Sequence, residues 1–148
     1  MKHTNSGHCE KCHDVIVKYP GFYEPLIEWF LDFQMKHPEG HVSCAGRGKA
    51  EQEALYLRGA SRAQYGESAH NYNAALDFFE MTGDTRSIYE ETWFAATLKP
   101  ALPSWLKWYG EMDPMDPDDF YELPHVEVRD WKKLVSMGLL ALVEPLDD

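Results

Sequence analysis

One stretch of ten residues, 68–77, constrains the fold of this chain more than any other. Its sequence is Ser-Ala-His-Asn-Tyr-Asn-Ala-Ala-Leu-Asp, which places His70 and Asp77 seven positions apart. Seven residues of straight helix rise about 10.5 Å, whereas atoms that bind one metal ion each lie about 2 Å from it. A histidine and an aspartate at this spacing can therefore share an ion only if the backbone folds back between them.

The residues between these two side chains favour such a turn. Asn71 and Asn73 lie in the interval, and asparagine adopts left-handed backbone angles more easily than most residues. Beyond the turn, Ala75 and Asp77 fall on one face of a strand, because side chains alternate along it. Ala75 is small enough to let other groups approach an ion beside Asp77. The stretch therefore predicts a strand, a turn and a second strand.

A third metal-binding side chain is predicted further along the chain. His125 follows Glu122 by three positions in the segment Glu-Leu-Pro-His. Two histidines and one aspartate occupy three positions of a tetrahedral zinc ion and leave the fourth for water, which is the pattern of catalytic zinc sites. We therefore predict Zn²⁺ as the cofactor, with His70, Asp77 and His125 as its ligands.

The first of these segments resembles the signature of a known family. Ser68-x-His70-x-x-Asn73-x-Ala75-x-Asp77 is similar to the pattern S-x-H-x-x-G-x-A-x-D. That pattern belongs to the zinc D-Ala-D-Ala carboxypeptidases and phage L-alanyl-D-glutamate endopeptidases, the VanY-like peptidases of hedgehog fold. Asn73 replaces the family's glycine, and a left-handed backbone at this position would cost asparagine about 1 kcal/mol.

Two further segments resemble the same family and occur in its order. Residues 122–127 (Glu-Leu-Pro-His-Val-Glu) are similar to the family's D/E-x-x-H motif with the apolar residue and the glutamate that follow it. Residues 43–52 (Ser-Cys-Ala-Gly-Arg-Gly-Lys-Ala-Glu-Gln) resemble S-G-Y-R-S-x-x-E-Q and carry the family's arginine as Arg47. Together the matches extend over residues 26–128.

The resemblance implies a fold and an activity. The expected fold is α+β, with a small mostly antiparallel sheet and flanking helices, in a zinc peptidase domain of residues 22–148. The implied activity is zinc-dependent hydrolysis of peptidoglycan stem peptides, with the L-Ala–D-Glu bond as first choice and host lysis by a phage endolysin as the role. The alternatives are a D-Ala-D-Ala carboxypeptidase or dipeptidase, and an inactive zinc-bearing structural module of a phage.

Two residues are expected to carry the chemistry beside the metal. Glu122 is the predicted general base, since it precedes a metal ligand by three residues and can take a proton from water. Glu127 is its rival, but a position two residues after His125 on the same strand face better suits orienting that ring. Arg47 is expected to hydrogen-bond the carbonyl oxygen that gains charge during hydrolysis, or a substrate carboxylate.

Two more residues are predicted to bind substrate, each with an alternative. Ser68 either contacts the substrate or orients a metal ligand. Trp108 lies in residues 103–110 (Pro-Ser-Trp-Leu-Lys-Trp-Tyr-Gly), which resemble the family's L-x-W-G-G approach to the active site. It either walls the cleft or belongs to the core.

The first 21 residues form a Cys/His-rich extension that the resemblance does not cover. It contains His8, Cys9, Cys12 and His13. The pattern C-x-x-C-H is typical of haem attachment, but that requires export. A structural zinc half-site of Cys9, Cys12 and some of His8, His13 or Cys44 is a stronger alternative, and a redox pair is another. Reduced thiols in a mobile tail are the leading interpretation.

Charge and composition bear on partners and location. The formal net charge of −11 disfavours nucleic acids and anionic membranes as partners, and no apolar run is long enough to span a membrane. A secretory signal is not visible at the N-terminus. We therefore expect a monomer that is made in the host cytoplasm and acts on the periplasmic cell wall after a separate partner permeabilises the membrane.

Apolar periodicity predicts the regular elements around these motifs. An amphipathic helix is expected over residues 22–37, because apolar residues recur at helical spacing and Pro38 and Gly40 follow. A short strand is expected over residues 41–45. Further helices are expected over residues 50–58, 87–99 (ended by Pro100) and 131–142.

Overall fold

The computed structural model describes residues 9–83, 85–86, 90–117 and 119–143. The helices are α1 (Glu10–Ile16), α2 (Glu24–Lys36), α3 (Lys49–Leu57), a 3₁₀ turn (Ala69–Tyr72), α4 (Glu91–Trp93), a π-helical turn (Phe94–Leu98), α5 (Lys99–Ala101) and α6 (Trp131–Ser136). The strands are β1 (Gly40–Cys44), β2 (Ala75–Thr82), β3 (Thr85–Arg86), β4 (Leu106–Trp108) and β5 (His125–Val128). The predicted α+β class is confirmed.

A small antiparallel sheet forms the centre of the molecule. Its strand order is β1-β2-β5-β4, and β3 pairs with the distal end of β2. Strand β2 is therefore central, and it pairs with β5 so that Asp77 lies opposite His125 and Ala75 opposite Glu127. This register brings together two segments that are 48 residues apart in the sequence.

Helix α2 covers one face of the sheet, and its bounds lie close to the predicted range of residues 22–37. Its buried side chains include Leu26, Ile27, Phe30 and Phe33, and the rings of both phenylalanines lie 5.8 Å from that of Phe78 on β2. Burying a side chain of this size stabilises the fold by about 1.5–3 kcal/mol. The helix thus fixes the sheet face that lies behind the candidate site.

The predicted strand before Asn73 is wrong, although the predicted turn is confirmed. Residues 69–72 form a single 3₁₀ turn, and Ser68 caps it by accepting a hydrogen bond from the backbone N–H of His70. The side chain of Asn71 also accepts the N–H of Ser68. These local side-chain bonds favour a helical turn over an extended ladder. Asn73 then adopts the left-handed conformation, with φ 56°.

The interpretation of residues 9–16 as a mobile tail is also wrong. Helix α1 packs against β1, and both Cys9 and Cys12 belong to the buried core. Ile16 on the same helix is buried as well. The apolar side of α1 therefore completes the core beside β1.

The last two helices differ from their predicted bounds. Helical structure begins at Glu91 and continues through Pro100 to Ala101, because the π-helical turn precedes a first turn that tolerates proline. Residues 87–89 lie outside the described part. Helix α6 ends at Ser136, and Gly138 follows with φ 78°. Within the described ranges, no helix combines the length and apolar character needed to cross a membrane.

Candidate metal centre

Three secondary-structure elements bring the predicted metal ligands together. The 3₁₀ turn carries His70, strand β2 carries Asp77, and the first residue of β5 is His125. The left-handed turn at Asn73 reverses the chain between the first two. The antiparallel register sets the third directly opposite Asp77. All three side chains are largely buried, at 2%, 14% and 5% exposure respectively.

The distance from Asp77 to each histidine matches the spacing of two donors on one tetrahedral ion. Asp77 Oδ1 lies 3.3 Å from His70 Nε2 and 3.2 Å from His125 Nδ1. Two donors that each lie about 2.0–2.1 Å from a zinc ion at a tetrahedral angle are themselves about 3.3 Å apart. The two rings are 5.1 Å apart between centroids. Among the described residues, the compact donor groups here are Cys44–His70–Asp77 and Asp77–Glu122–His125, which share Asp77. One ion held by both histidines would therefore require the two rings to draw closer around Asp77.

The protonation of His70 leaves one nitrogen available as a ligand. Its Nδ1 lies 2.6 Å from the carbonyl oxygen of Ala45, and a carbonyl can only accept, so Nδ1 carries the proton and donates. Nε2 is buried and makes no hydrogen bond. A buried polar atom without a partner is costly unless another group satisfies it. A cation beside Asp77 would do so.

A chain of hydrogen bonds orients His125. Its Nε2 donates to Glu127 Oε1 at 2.8 Å, which turns Nδ1 towards Asp77. The other oxygen of Glu127 accepts from the hydroxyl of Tyr109 at 2.7 Å and from the indole N–H of Trp131 at 3.2 Å. A carboxylate behind a ligating imidazole fixes the ring and raises its basicity.

The electrostatics of the cluster favour positive charge beside Asp77. Burial opposes ionisation of Asp77, but His70 and His125 prevail and hold the pKa of the carboxyl well below 3.8. Burial likewise opposes charge on His70, yet the attraction of Asp77, followed by that of Cys44, raises its pKa well above 6.5. The pKa of His125 is also raised, because burial is outweighed by the hydrogen bonds that its ring donates to Asp77 and Glu127. A proton or a metal ion can supply this positive charge.

Arg47 lies beside Asp77. Its Nη2 is 3.8 Å from Asp77 Oδ2, and its Nη1 donates to Gln52 Oε1 at 3.1 Å. Gln52 is fully buried and is itself held by Asn71, which donates to the same oxygen. The guanidinium is only 15% exposed, so its position is well fixed.

Glu122 stands at the open edge of the cluster. Its Oε2 lies 3.8 Å from His125 Nδ1, and its side chain is 46% exposed. Asp77, Glu122 and His125 offer donor atoms that all lie within 4.8 Å of one another. The carboxylate can therefore accept a proton from a molecule beside the ion or bind the ion itself.

Cys44 lies near Nδ1 of His70, whereas Asp77 lies near Nε2 of the same ring. Its sulfur lies 3.8 Å from His70 Nδ1, and Cys44, His70 and Asp77 also form a compact group of donors. However, Nδ1 donates to Ala45 and cannot bind a metal while protonated. We therefore take Nε2, on the side of Asp77, as the ligand atom. Sequence reasoning had grouped Cys44 with the N-terminal cysteines instead.

The cluster opens into a cleft, and the two predicted substrate residues lie differently with respect to it. Ser68 lines the cleft, although its hydroxyl also caps the turn that carries His70. Trp108 is 6% exposed and packs into the core, where its ring stacks on Phe94 and its N–H donates to the carbonyl oxygen of Leu123. Its neighbour Tyr109 lines the cleft. Sequence reasoning missed that role, because strand alternation alone does not tell which face is open.

Comparisons with known proteins were made by sequence and by structure. No family model and no curated protein matches the sequence. Among solved structures, the chain is similar to the L-Ala D-Glu endopeptidase ChiX of Serratia marcescens, with a TM-score of 0.64 and 16% identity. The match covers 84% of this chain and 90% of that one. At this identity the likeness establishes a shared fold.

Proposed function

We propose that this chain is a zinc-dependent peptidase that cleaves peptidoglycan stem peptides at the L-Ala–D-Glu bond and serves a phage as its endolysin. The observation that carries the proposal is the convergence of His70 Nε2, Asp77 Oδ1 and His125 Nδ1 at the base of a cleft, beside Glu122 and Arg47. The similar fold of an enzyme that is named for this bond supports it.

His70, Asp77 and His125 would hold the zinc ion. When bound, it would lower the pKa of a water molecule and polarise the scissile carbonyl. The donor set is nitrogen and oxygen, as in catalytic zinc sites. Glu127, Tyr109 and Trp131 keep the imidazole of His125 aligned.

Glu122 would move the proton. Its carboxylate accepts a proton from the attacking water and then delivers it to the nitrogen of the leaving amine, as the C–N bond of the amide breaks. The oxygen of the water ends in the new carboxyl group of L-Ala, and the amino group of D-Glu is freed. A half-exposed carboxylate at the cleft edge can reach both the water and the amine.

Arg47 would stabilise the charge that develops on the carbonyl oxygen. Its guanidinium is held by Gln52 and Asp77 before substrate binds, so little reorganisation is needed during reaction. Donors that are fixed in this way contribute about 2.7–4 kcal/mol to a transition state of this type.

The cleft also offers local charge for an acidic substrate. Although the whole chain carries a formal net charge of −11, the residues that line the cleft include Arg62, Lys132 and Lys133, all exposed. Stem peptides carry free carboxylates that such cations can bind. We therefore propose that recognition is local, and that the enzyme reaches the periplasmic wall from the host cytoplasm through a membrane that another protein has opened.

Incubation of the purified protein with peptidoglycan sacculi tests the proposal. We expect soluble fragments to appear, to disappear after treatment with a chelator, and to return when Zn²⁺ is added. Mass spectrometry should find muramoyl-L-Ala and peptides with a free D-Glu amino group. Release of D-Ala instead would indicate the carboxypeptidase alternative. A zinc-loaded protein that yields neither product would contradict the proposed hydrolysis and favour an inactive structural module.

A further inference from the structure

A second group of metal-binding side chains lies at the edge of the sheet, where α1 packs against β1. Cys9, Cys12 and His41 are 0%, 1% and 2% exposed, and their donor atoms all lie within 4.8 Å of one another. The two cysteines come from the start of α1, and the histidine comes from β1. None of these residues lines the cleft described above. The group is therefore separate from the candidate metal centre.

The geometry of this group suits a small ion with sulfur and nitrogen ligands. Cys12 Sγ lies 3.3 Å from His41 Nδ1. In a tetrahedral zinc site, with Zn–S about 2.3 Å and Zn–N about 2.0–2.1 Å, these atoms are about 3.5 Å apart. A shift of a few tenths of an ångström would be sufficient to admit the ion.

Two hydrogen-bond donors point at the sulfur of Cys12. The backbone N–H of Val42 points to Cys12 Sγ at 3.4 Å, and the side-chain amide of Gln34 donates to the same sulfur at 3.5 Å. A thiol is a weak acceptor, whereas hydrogen bonds to a charged group are stronger. Burial raises the pKa of Cys12 to about 12, so the thiol is neutral when no ion is bound. A cation on this sulfur would displace the proton, and the two donors would then stabilise the thiolate.

Gln34 links this group to three elements. It lies on α2, its carbonyl oxygen accepts the backbone N–H of Cys9 at 2.8 Å, and its amide nitrogen also donates to the carbonyl oxygen of Gly40 at 2.9 Å. Gln34 itself is fully buried. The start of α1, helix α2 and the start of β1 are thus held together around the group, as they would be around a structural ion.

We propose that Cys9, Cys12 and His41 bind a structural Zn²⁺ ion that fastens α1 to the sheet. Two thiolates and an imidazole select zinc over the hard cations Ca²⁺ and Mg²⁺. These residues supply three of the four ligands that a structural zinc ion takes. The proposal corrects the half-site predicted from sequence: Cys44 lies beside His70, His13 is exposed, and His8 lies outside the described residues.

This site does not depend on the proposed peptidase activity, and metal analysis separates the two. We expect about two zinc ions per chain in the wild-type protein purified with Zn²⁺ present. The double variant Cys9→Ser/Cys12→Ser should retain one, and so should His125→Ala, whose remaining ion belongs to the cysteine site. If Cys9→Ser/Cys12→Ser binds as much zinc as the wild type, the structural site is contradicted. If His125→Ala binds as much zinc as the wild type, the peptidase centre is contradicted instead.

Cobalt replacement identifies the ligands directly. Co²⁺-loaded His125→Ala protein should show a thiolate-to-cobalt charge-transfer band, which Cys9→Ser/Cys12→Ser removes. Cys44→Ser is the matched control, because it removes the thiol beside His70; the band should persist in it. A band that disappears with Cys44→Ser instead would overturn the proposal.

A measurement on the wild-type protein remains decisive if the cysteine variants fail to fold. X-ray absorption at the zinc edge should detect sulfur at about 2.3 Å, and chelation should make Cys9 and Cys12 reactive to a thiol reagent. Two alternative outcomes would refute the site. One is a zinc spectrum without sulfur, and the other is a Cys9–Cys12 disulfide, which would show as a mass lacking two hydrogens.

Discussion

One cluster of metal-binding side chains borders a cleft and another is buried in the core, and this difference separates a catalytic role from a stabilising one. The centre of His70, Asp77 and His125 opens into a cleft, where Glu122 and Arg47 adjoin it. The cluster of Cys9, Cys12 and His41 is sealed in the core and has amide N–H groups as its neighbours. A metal can act on a substrate only where a coordination position is accessible and a proton acceptor is near.

Emptying the open centre should produce the largest effect. Asp77→Ala removes the oxygen that both imidazoles face, so we expect the loss of one zinc ion per chain and a fall of peptidoglycan hydrolysis to background. The zinc of the cysteine cluster should remain, since the two sites share no residue. Metal analysis and turbidity loss of sacculi measure both effects, and loss of both ions would show that the two regions are not independent.

Removing Glu122, the proposed proton acceptor, should lower turnover without changing zinc binding. Glu122→Gln keeps the shape of the side chain but not its basicity, so kcat should fall by about 10²–10⁴-fold while zinc content stays unchanged. Glu111→Gln is the matched control, because Glu111 is an exposed acid paired with Lys99. If zinc is lost together with activity, Glu122 is a ligand and the base must be sought elsewhere.

Weakening the support of His125 should have a smaller effect. In Glu127→Gln the carboxylate that accepts from His125, Tyr109 and Trp131 becomes an amide. We expect zinc affinity or activity to fall by about 10–100-fold. Competition with a chromophoric chelator measures the affinity. An unchanged affinity and rate would mean that the imidazole is held by packing alone.

The smallest expected effect is the pH dependence of stability without metal. Protonated His70 stabilises the chelated protein below 6.5, its ordinary pKa, and this contribution is lost as the pH rises towards the raised pKa of the folded state. Ionised Asp77 stabilises the folded state at every pH above 3.8, its ordinary pKa. This stabilisation is lost only as the pH falls towards the lowered pKa of the folded state. Bound metal replaces the proton on His70.

The difference in unfolding free energy between loaded and chelated protein should therefore widen as the pH rises and level off only near the raised pKa of His70 in the folded state, by up to about 1.4 kcal/mol per pH unit for each proton displaced. Denaturant unfolding of both forms at several pH values provides the measurement. A constant difference would show that the imidazoles bind no proton when the metal is absent.

The sequence predicts the parts of the fold whose determinants are local. The left-handed turn at Asn73 and the bounds of α2 depend on residue type and periodicity, and both are confirmed. The 3₁₀ turn at His70 was missed because the capping bonds of Ser68 and Asn71 compete with an extended strand. Capping residues and asparagines in succession are the signal that could have revealed it.

Contacts between distant segments were harder to predict. His41 lies 29 residues from Cys12 in the sequence, and the packing of α1 on β1 brings the two together. The orientation of Trp108 depends on which face of β4 meets Phe94. Such pairings are set by the tertiary structure, so no spacing in the sequence indicates them.

The pairing of Asp77 with His125 has a consequence for synthesis of the protein. These partners are 48 positions apart and face each other across neighbouring strands. A chain that emerges from the ribosome therefore lacks a complete centre until β5 has left the exit tunnel and joined β2. A slip of one position would turn His125 to the opposite face, so misregistered chains would stay inert as well.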